Sequence, residues 1–222
     1  MIWAVVPVKD FQTAKQRLRA VLTPNERQAL ARAMLEDVLA ALAQVRELDR
    51  LVLVTREPHA VTLARRFGAF ILSEPSNRGQ TAAVERAFAQ ARRQGASAVL
   101  ALPGDVPLIA PTDVEAILRA GERADLVLVP SRDGRGTNAM WLRLPLGLPL
   151  RFGEDSFRFH HRAAQERALR TIVLDLPRIA LDVDAPEDLG ELARRYSAAP
   201  ELALRSPTAA LFEERGWLAR FK

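Results

Sequence analysis

Short apolar runs alternate along this chain with segments of helical periodicity, and that alternation constrains the fold more than any other feature. The run 1–8 (MIWAVVPV) is apolar and carries Pro7 near its end, which reads as a buried strand. Further strands are expected at 51–55 (LVLVT), 70–72, 98–102 (AVLAL), 126–129, 138–142 and 170–174. Between them, Thr23-Pro24-Asn25-Glu26 is a capping box with proline at the first helical position. Leu30, Met34, Val38 and Leu42 then give that helix one buried face. A helix over 60–67 ends at Gly68, and one over 81–94 is stopped by Gly95. A second capping box, Thr112-Asp113-Val114-Glu115, opens a helix to Ala120, and the segments 155–167 and 186–196 are also helical. Strands alternating with helices of this length imply an α/β fold, a mostly parallel central sheet flanked by helices. A length of 222 residues suits one such domain, 1–196, followed by a C-terminal tail, 197–222. Apolar residues of the tail (Leu202, Leu204, Leu211, Phe212, Trp217, Leu218) pack on the body or on a second subunit, which leaves a homodimer open.

Composition narrows the chemistry. There is no cysteine, which excludes a disulfide scaffold, a Cys-ligated zinc or iron–sulfur site and a thiol nucleophile. The three histidines, His59, His160 and His161, are too few for a His-rich metal site; His160 and His161 fall on an expected helix, where core packing or a surface position accounts for them. Apolar runs are far shorter than the roughly 18 residues of a membrane span. The N-terminus turns polar at its ninth residue without a basic n-region, so neither a membrane partner nor a signal peptide is expected and a cytoplasmic enzyme is the default. Lys and Arg total 32 against 27 Asp and Glu, a net charge of +5, but the basic residues are scattered among acids. With only 6% aromatic residues and no basic–aromatic stripe, a nucleic-acid partner is not expected, whereas a small anionic ligand suits the excess.

In open parallel sheets, ligands bind beyond the carboxyl ends of the strands, and four polar clusters fall there. The first, 6–18 (VPVKDFQTAKQRL), lacks the glycine spacing of a P-loop or dinucleotide fingerprint but presents Lys15 and Arg17, suited to phosphates unless it is a plain solvated loop. In the second, 101–108 (ALPGDVPL), Asp105 stands at a strand mouth where it could bind Mg²⁺, a hard cation that prefers oxygen ligands; the alternative is a turn aspartate. The third, 132–141 (RDGRGTNAMW), offers backbone amides at Gly134 and Gly136 with the side chains of Thr137 and Asn138, either an oxyanion nest or a hairpin loop. The segment 151–161 (RFGEDSFRFHH) adds Gly153 and Ser156 near a helix N-terminus, where Ser156 binds an anion or caps the helix. In the fourth, 180–189 (ALDVDAPEDL), Asp182 and Asp184 are two apart and so project to one side of an extended segment, able to share a metal with Asp105. Capping by Asp184 or Glu187 is the alternative there, and it does not account for Asp182.

The motifs PVK…AKQRL, AMLEDVLAAL, LPGDVPL, GRGTNAM, FGEDSFRFH and LDVDAPEDL occur in the order found in the phospholactate or phosphoenolpyruvate guanylyltransferases of coenzyme F-420 biosynthesis, and the chain resembles that family over about 1–196. The resemblance implies a single-domain, Rossmann-like nucleotidyltransferase fold of the GT-A-like kind, with GTP and a small phosphorylated three-carbon acid as substrates and Mg²⁺ as cofactor. By the same resemblance, Asp105, Asp182 and Asp184 match the metal-binding aspartates, and Thr137, Gly153 and Ser156 match the acid-binding positions. Lys15 matches the lysine beside the nucleotide phosphates and is catalytic with Asp105; Pro7, Arg17, Glu74, Gly79 and Thr81 complete the nucleotide-binding set. Where the family reads Gly-Leu-Asn, this chain has Gly79-Gln80-Thr81, at the place expected for the base or ribose. A phosphate nucleophile is already ionised at neutral pH, so the implied reaction needs positioning and charge neutralisation and no side-chain base. A nucleotidyltransferase for another phosphorylated acceptor, a sugar phosphate or a molybdopterin, is the alternative within the same fold.

Overall fold

In the computed structural model, which describes residues 1–74, 76 and 78–221, β1 (Ile2–Pro7) lies in the interior of the sheet with its four inner residues buried. Trp3 and Val5 enter the apolar layer on one face, Ala4 and Val6 the layer on the other, as the two-residue period of a strand covered on both sides requires. In chain order there follow α1 (Pro24–Leu42), β2 (Arg50–Thr55), α2 (Pro58–Arg66), β3 (Phe70–Ser73), α3 (Gln80–Arg93), β4 (Ala98–Ala101), α4 (Pro111–Arg123), β5 (Leu126–Pro130), β6 (Thr137–Arg143), α5 (Ser156–Gln165), β7 (Thr171–Val173), α6 (Pro177–Ala180), α7 (Pro186–Ala198), α8 (Pro207–Glu214) and α9 (Trp217–Arg220). The strands form a seven-stranded sheet in the order β3-β2-β1-β4-β6-β5-β7. All pairings are parallel except those of β6, which returns from β5 through a hairpin and inserts antiparallel between β4 and β5. The order reverses between β1 and β4, so the connections leaving their carboxyl ends diverge and open a crevice. Because β6 is antiparallel, its first residues, Thr137 and Asn138, lie at this same edge.

Helix α1 opens as expected: Thr23 Oγ1 accepts from the Glu26 N–H and Glu26 returns a carboxylate to the Thr23 N–H at 2.8 Å. Its burial differs from the one-faced expectation. Val38 and Leu42 face the sheet, whereas Leu30 and Met34 face a separate apolar cluster with Leu181, Val183, Leu192, Tyr196, Phe212 and Trp217, because the tail lies on the outer side of the helix. Helix α4 begins at Pro111, one residue before the expected cap at Thr112, and runs past Ala120 to Arg123. Asp113 provides the cap by accepting from the Ala110 N–H at 2.9 Å. The helix continues through Gly121 because a Cβ there would meet the Trp141 ring at 2.7 Å, so only glycine lets α4 pack this closely on β6. Among the described residues, no helix is long and apolar enough to cross a membrane.

Candidate active site

The chain leaving β1 is held against β2 before it reaches the crevice. Thr55 Oγ1 donates to the Val8 carbonyl at 2.9 Å, and the buried Glu57 carboxylate accepts from the Phe11 N–H at 3.0 Å. Two short 3-10 turns follow, Phe11–Thr13 and Gln16–Ala20, with Lys15 between them in a left-handed conformation, φ 54°. For a residue with a Cβ that conformation costs about 1–2 kcal/mol. Here it turns the side chain inward, to 7% exposure, where Nζ donates to Asp105 Oδ2 and to Asp184 Oδ1 at 2.7 Å. Burial by itself would lower the lysine's pKa, but the two carboxylates outweigh it and hold the ammonium well above its ordinary value. Lys15 is therefore a fixed positive charge.

The carboxylates are placed from three directions. Asp105 follows β4, and its carbonyl accepts from the Val183 N–H at 3.1 Å, which draws 181–184 alongside. In that extended segment Leu181 and Val183 are buried in the tail cluster, leaving Asp182 and Asp184 on the crevice side. Arg178 anchors the approach through a two-pronged pair with Asp113, both contacts at 2.7 Å. Asn138 completes it: its Nδ2 donates to the carbonyls of Ile179 and Ala180 and to Asp182 Oδ1 at 3.0 Å. Capping of α7 falls to Asp188, whose Oδ2 accepts from the N–H groups of Asp184 and Ala185. That releases the Asp184 side chain for Lys15 and decides against the capping alternative.

Burial raises the pKa of Asp105, with Asp184 adding to the effect and Lys15 opposing it; burial, then the Asp105 charge, pushes Asp182 up to about 6. Lys15 outweighs burial at Asp184 and holds it below the usual carboxylate range. Among the described residues, no three carboxylates or histidines converge as a ready-made metal cage. Asp105 Oδ1 is nevertheless buried without a hydrogen-bond partner, and the Asp105 charge adds to burial in raising the Asp182 carboxyl. An orphaned buried oxygen beside a second, incompletely compensated carboxylate fits a hard cation that takes one or two protein carboxylates and fills its shell with phosphate oxygens and water.

Two chambers meet at this cluster, both bordered by Gln80, Pro103, Asp105 and Asp184. The first is lined by Pro7, Lys15, Glu74 and Gly79, all expected on the nucleotide side. Burial raises the Glu74 carboxyl. Thr81 stands apart from that lining: its Oγ1 accepts from the Phe152 N–H at 2.9 Å, so it ties α3 to the opposite loop. Arg17, expected on the nucleotide side, lines the second chamber instead, where Asp182 also lies beside Asp105.

The second chamber brings together Thr137, Gly153 and Ser156, the three expected acid-binding positions. Ser156 begins α5, is 1% exposed, and its Oγ lacks a hydrogen-bond partner. Asp155 flanks the helix in a left-handed conformation without a side-chain cap, and Gly153, at φ 115°, makes the turn into it. Of the two readings of the Gly134–Gly136 segment, the hairpin loop holds, because its amides are consumed internally. Ser131 Oγ accepts from the Gly136 N–H at 2.6 Å, Asp133 accepts from the Arg135 N–H, and the Gly134 N–H goes to the Ser131 carbonyl. The segment is the turn of the β5–β6 hairpin, which presents Thr137 and Asn138. Glu57 and the buried His160 had no sequence signal as site residues, because each acts through contacts with segments distant in the chain.

A family model described as "Guanylyl transferase CofC like" matches residues 2–197. A phosphoenolpyruvate guanylyltransferase of Conexibacter woesei is 42% identical over 192 residues, 86% of each chain. A 2-phospho-L-lactate guanylyltransferase of Methanothermobacter thermautotrophicus is 40% identical over 189 residues, 85% of this chain and 82% of the relative. Among solved structures, a nucleotide-diphospho-sugar transferase of Desulfovibrio desulfuricans G20 superposes with a TM-score of 0.81 over 99% of this chain and 97% of its own, at 19% identity, which bears on the fold alone. With the family model spanning β1 to α7 and every element that carries the crevice, the chain belongs to the CofC-like guanylyl transferase family.

Proposed function

We propose that this chain transfers GMP from GTP to a phosphorylated three-carbon acid, phosphoenolpyruvate or 2-phospho-L-lactate, and releases pyrophosphate, as a step in making coenzyme F-420. The observation that carries the reading is the Lys15 ammonium, clamped by Asp105 and Asp184 at the seam of two chambers. Two anionic substrates meeting at one phosphorus require such a fixed positive charge and a way to bring both in line.

GTP takes the chamber of Pro7, Glu74 and Gly79, and the acid takes the chamber of Thr137, Gly153 and Ser156. Ser156 Oγ, buried and unpartnered, donates to the acid's anionic groups. Arg17 offsets part of the negative charge gathered in that chamber. A phosphate oxygen of the acid, already ionised, attacks the α-phosphorus, so none of the side chains has to remove a proton. Asp105 and Asp182, with Asp184 at the rim, would hold a divalent cation, Mg²⁺ in this reading, which when bound withdraws charge from the α-phosphate. Asn138 keeps Asp182 aimed at the crevice throughout.

The test is a panel of GTP, ATP, CTP and UTP against phosphoenolpyruvate, 2-phospho-L-lactate and 3-phosphoglycerate with Mg²⁺, scored by pyrophosphate release and product mass. A guanylylated three-carbon acid is expected. A product carrying a different phosphorylated acceptor would move the chain to another branch of nucleotidyltransferases, and a product carrying another base would remove the guanylyl assignment.

A further inference from the structure

His160 is fully buried on α5, one turn behind Ser156, and both of its ring nitrogens are engaged. Nε2 lies 3.1 Å from the Arg151 backbone nitrogen, and Nδ1 lies 3.0 Å from Thr137 Oγ1. A backbone N–H can only donate, so Nε2 must carry the lone pair. Neutral imidazole then bears its proton on Nδ1 and donates it to Thr137 Oγ1. With one lone pair of Thr137 so occupied, and no other bond to that oxygen among the described residues, the hydroxyl hydrogen is left to point elsewhere, and Thr137 lines the acid chamber.

The ring itself is immobilised. Phe152 packs at 5.1 Å and Phe159 at 5.7 Å edge-on, and the Arg151 guanidinium covers Phe159 at 4.5 Å. Burial first and the Arg151 charge second lower the imidazole to about 4, so the neutral form is the one present near neutrality.

We propose that His160 is a positioning residue for the acid substrate: its Nδ1–H fixes the Thr137 hydroxyl as a donor into the chamber, while its Nε2 holds the Arg151 backbone and with it the turn at Gly153. This rests on the assignment of the second chamber to the acid. One buried ring thus sets two walls of that chamber, from β6 and from the 144–155 loop, without touching substrate. A neighbour that donates to Thr137 makes it a donor to an anion; a neighbour that accepted from it would turn the lone pairs toward the anion instead.

The experiment uses three variants of the full chain and one spectrum. His160→Asn keeps an amide nitrogen near the place of Nδ1 and so keeps the bond to Thr137. His160→Gln keeps an acceptor near the place of Nε2 and so keeps only the loop. His160→Leu keeps neither. The KM for the acid is expected to rise at least about tenfold in the Leu and Gln variants, with the KM for GTP within about twofold, and to return most of the way in the Asn variant. Kinetics are read with whichever phosphorylated acceptor the unmodified chain turns over. Should the Leu variant fail to fold, the Asn–Gln contrast decides, and an equal acid KM in both, or the reverse order, overturns the proposal. A parallel rise in both substrates' KM values would mark a merely structural role and overturn it too. Independently, a long-range ¹⁵N–¹H spectrum of ¹⁵N-histidine-labelled chain should show His160 protonated at Nδ1; protonation at Nε2 overturns the assignment. If the chain turns over none of the acids offered, the proposed function falls, and the tautomer alone decides the role of His160.

Discussion

At Lys15 a single ammonium meets two carboxylates, while the charge of one of them, Asp105, also bears on a third carboxylate, Asp182. This surplus of negative charge costs folding stability and is retained where cationic and anionic ligands must be assembled. Asp105→Asn should therefore lower kcat/KM for the acid by about a hundredfold or more, since charge placed at the reacting phosphate is worth several kcal/mol. The melting temperature should hold or rise, because burial already disfavours the Asp105 charge. Steady-state kinetics with a thermal melt would show it, and a normal rate would remove Asp105 from the reaction. Thr81 leads to the opposite expectation from its sequence reading. Its hydroxyl is used by the Phe152 N–H, so Thr81→Val should raise the acid KM severalfold and leave the ranking of GTP, ATP, CTP and UTP unchanged. Specificity constants for the four nucleotides decide between the two. That Lys15, Asp105 and Asp184 gather at one sheet edge was open to reading in advance, because strand-end position and charge suffice to nominate them. Thr81 could not, since its partner lies 71 residues away.

Elements are positioned here by contacts that cross the sheet. Helix α4 reaches β6 only because Gly121 lacks a side chain, with the Trp141 ring 2.7 Å from where a Cβ would stand. Gly121→Ala brings a better helix former but forces two rigid elements apart, and overpacking of this kind costs about 1–3 kcal/mol. Urea unfolding is expected to show a loss of that size, with the specific activity of the folded fraction little changed. A gain in stability would mean that Trp141 moves aside freely. The capping boxes illustrate the limit of local reading. Thr23 and Glu26 stand where the pattern put them, whereas at α4 the pattern Thr112–Glu115 was displaced by Asp113 reaching back to Ala110 while Arg178 grips its other side. Local propensity allowed both starts, and the observed one is the start at which Asp113 also pairs with the distant Arg178.

For the molecule as a whole, the tail buttresses the site. Phe212 and Trp217 share an apolar cluster with Leu181 and Val183, the residues that alternate with Asp182 and Asp184. The tail is latched by Asp37, 8% exposed on α1, whose carboxylate accepts from Ser206 Oγ and the Thr208 N–H, both at 3.1 Å. Burial raises Asp37 to about 7 against these hydrogen bonds. Folding thus favours its protonated form, a contribution fully present below about pH 4 and lost as the pH rises through about 7. Across that window the native chain should lose stability relative to Asp37→Asn, by at most about 4 kcal/mol, because the amide does not titrate. Melting curves of both proteins from pH 4 to 8 measure the gap, and a constant gap would contradict the assignment. The alternation of strands and helices, and the charged residues at the carboxyl edge of the sheet, follow from periodicity and position along the chain alone. That Arg17 faces the second chamber, that the Gly134–Gly136 amides are already satisfied, and that Asn138 and His160 bond Asp182 and Thr137 emerge only once distant segments are folded together. Hydrogen-bond capacity is spent pairwise across distant segments, and no local pattern records which partner a buried polar group has found.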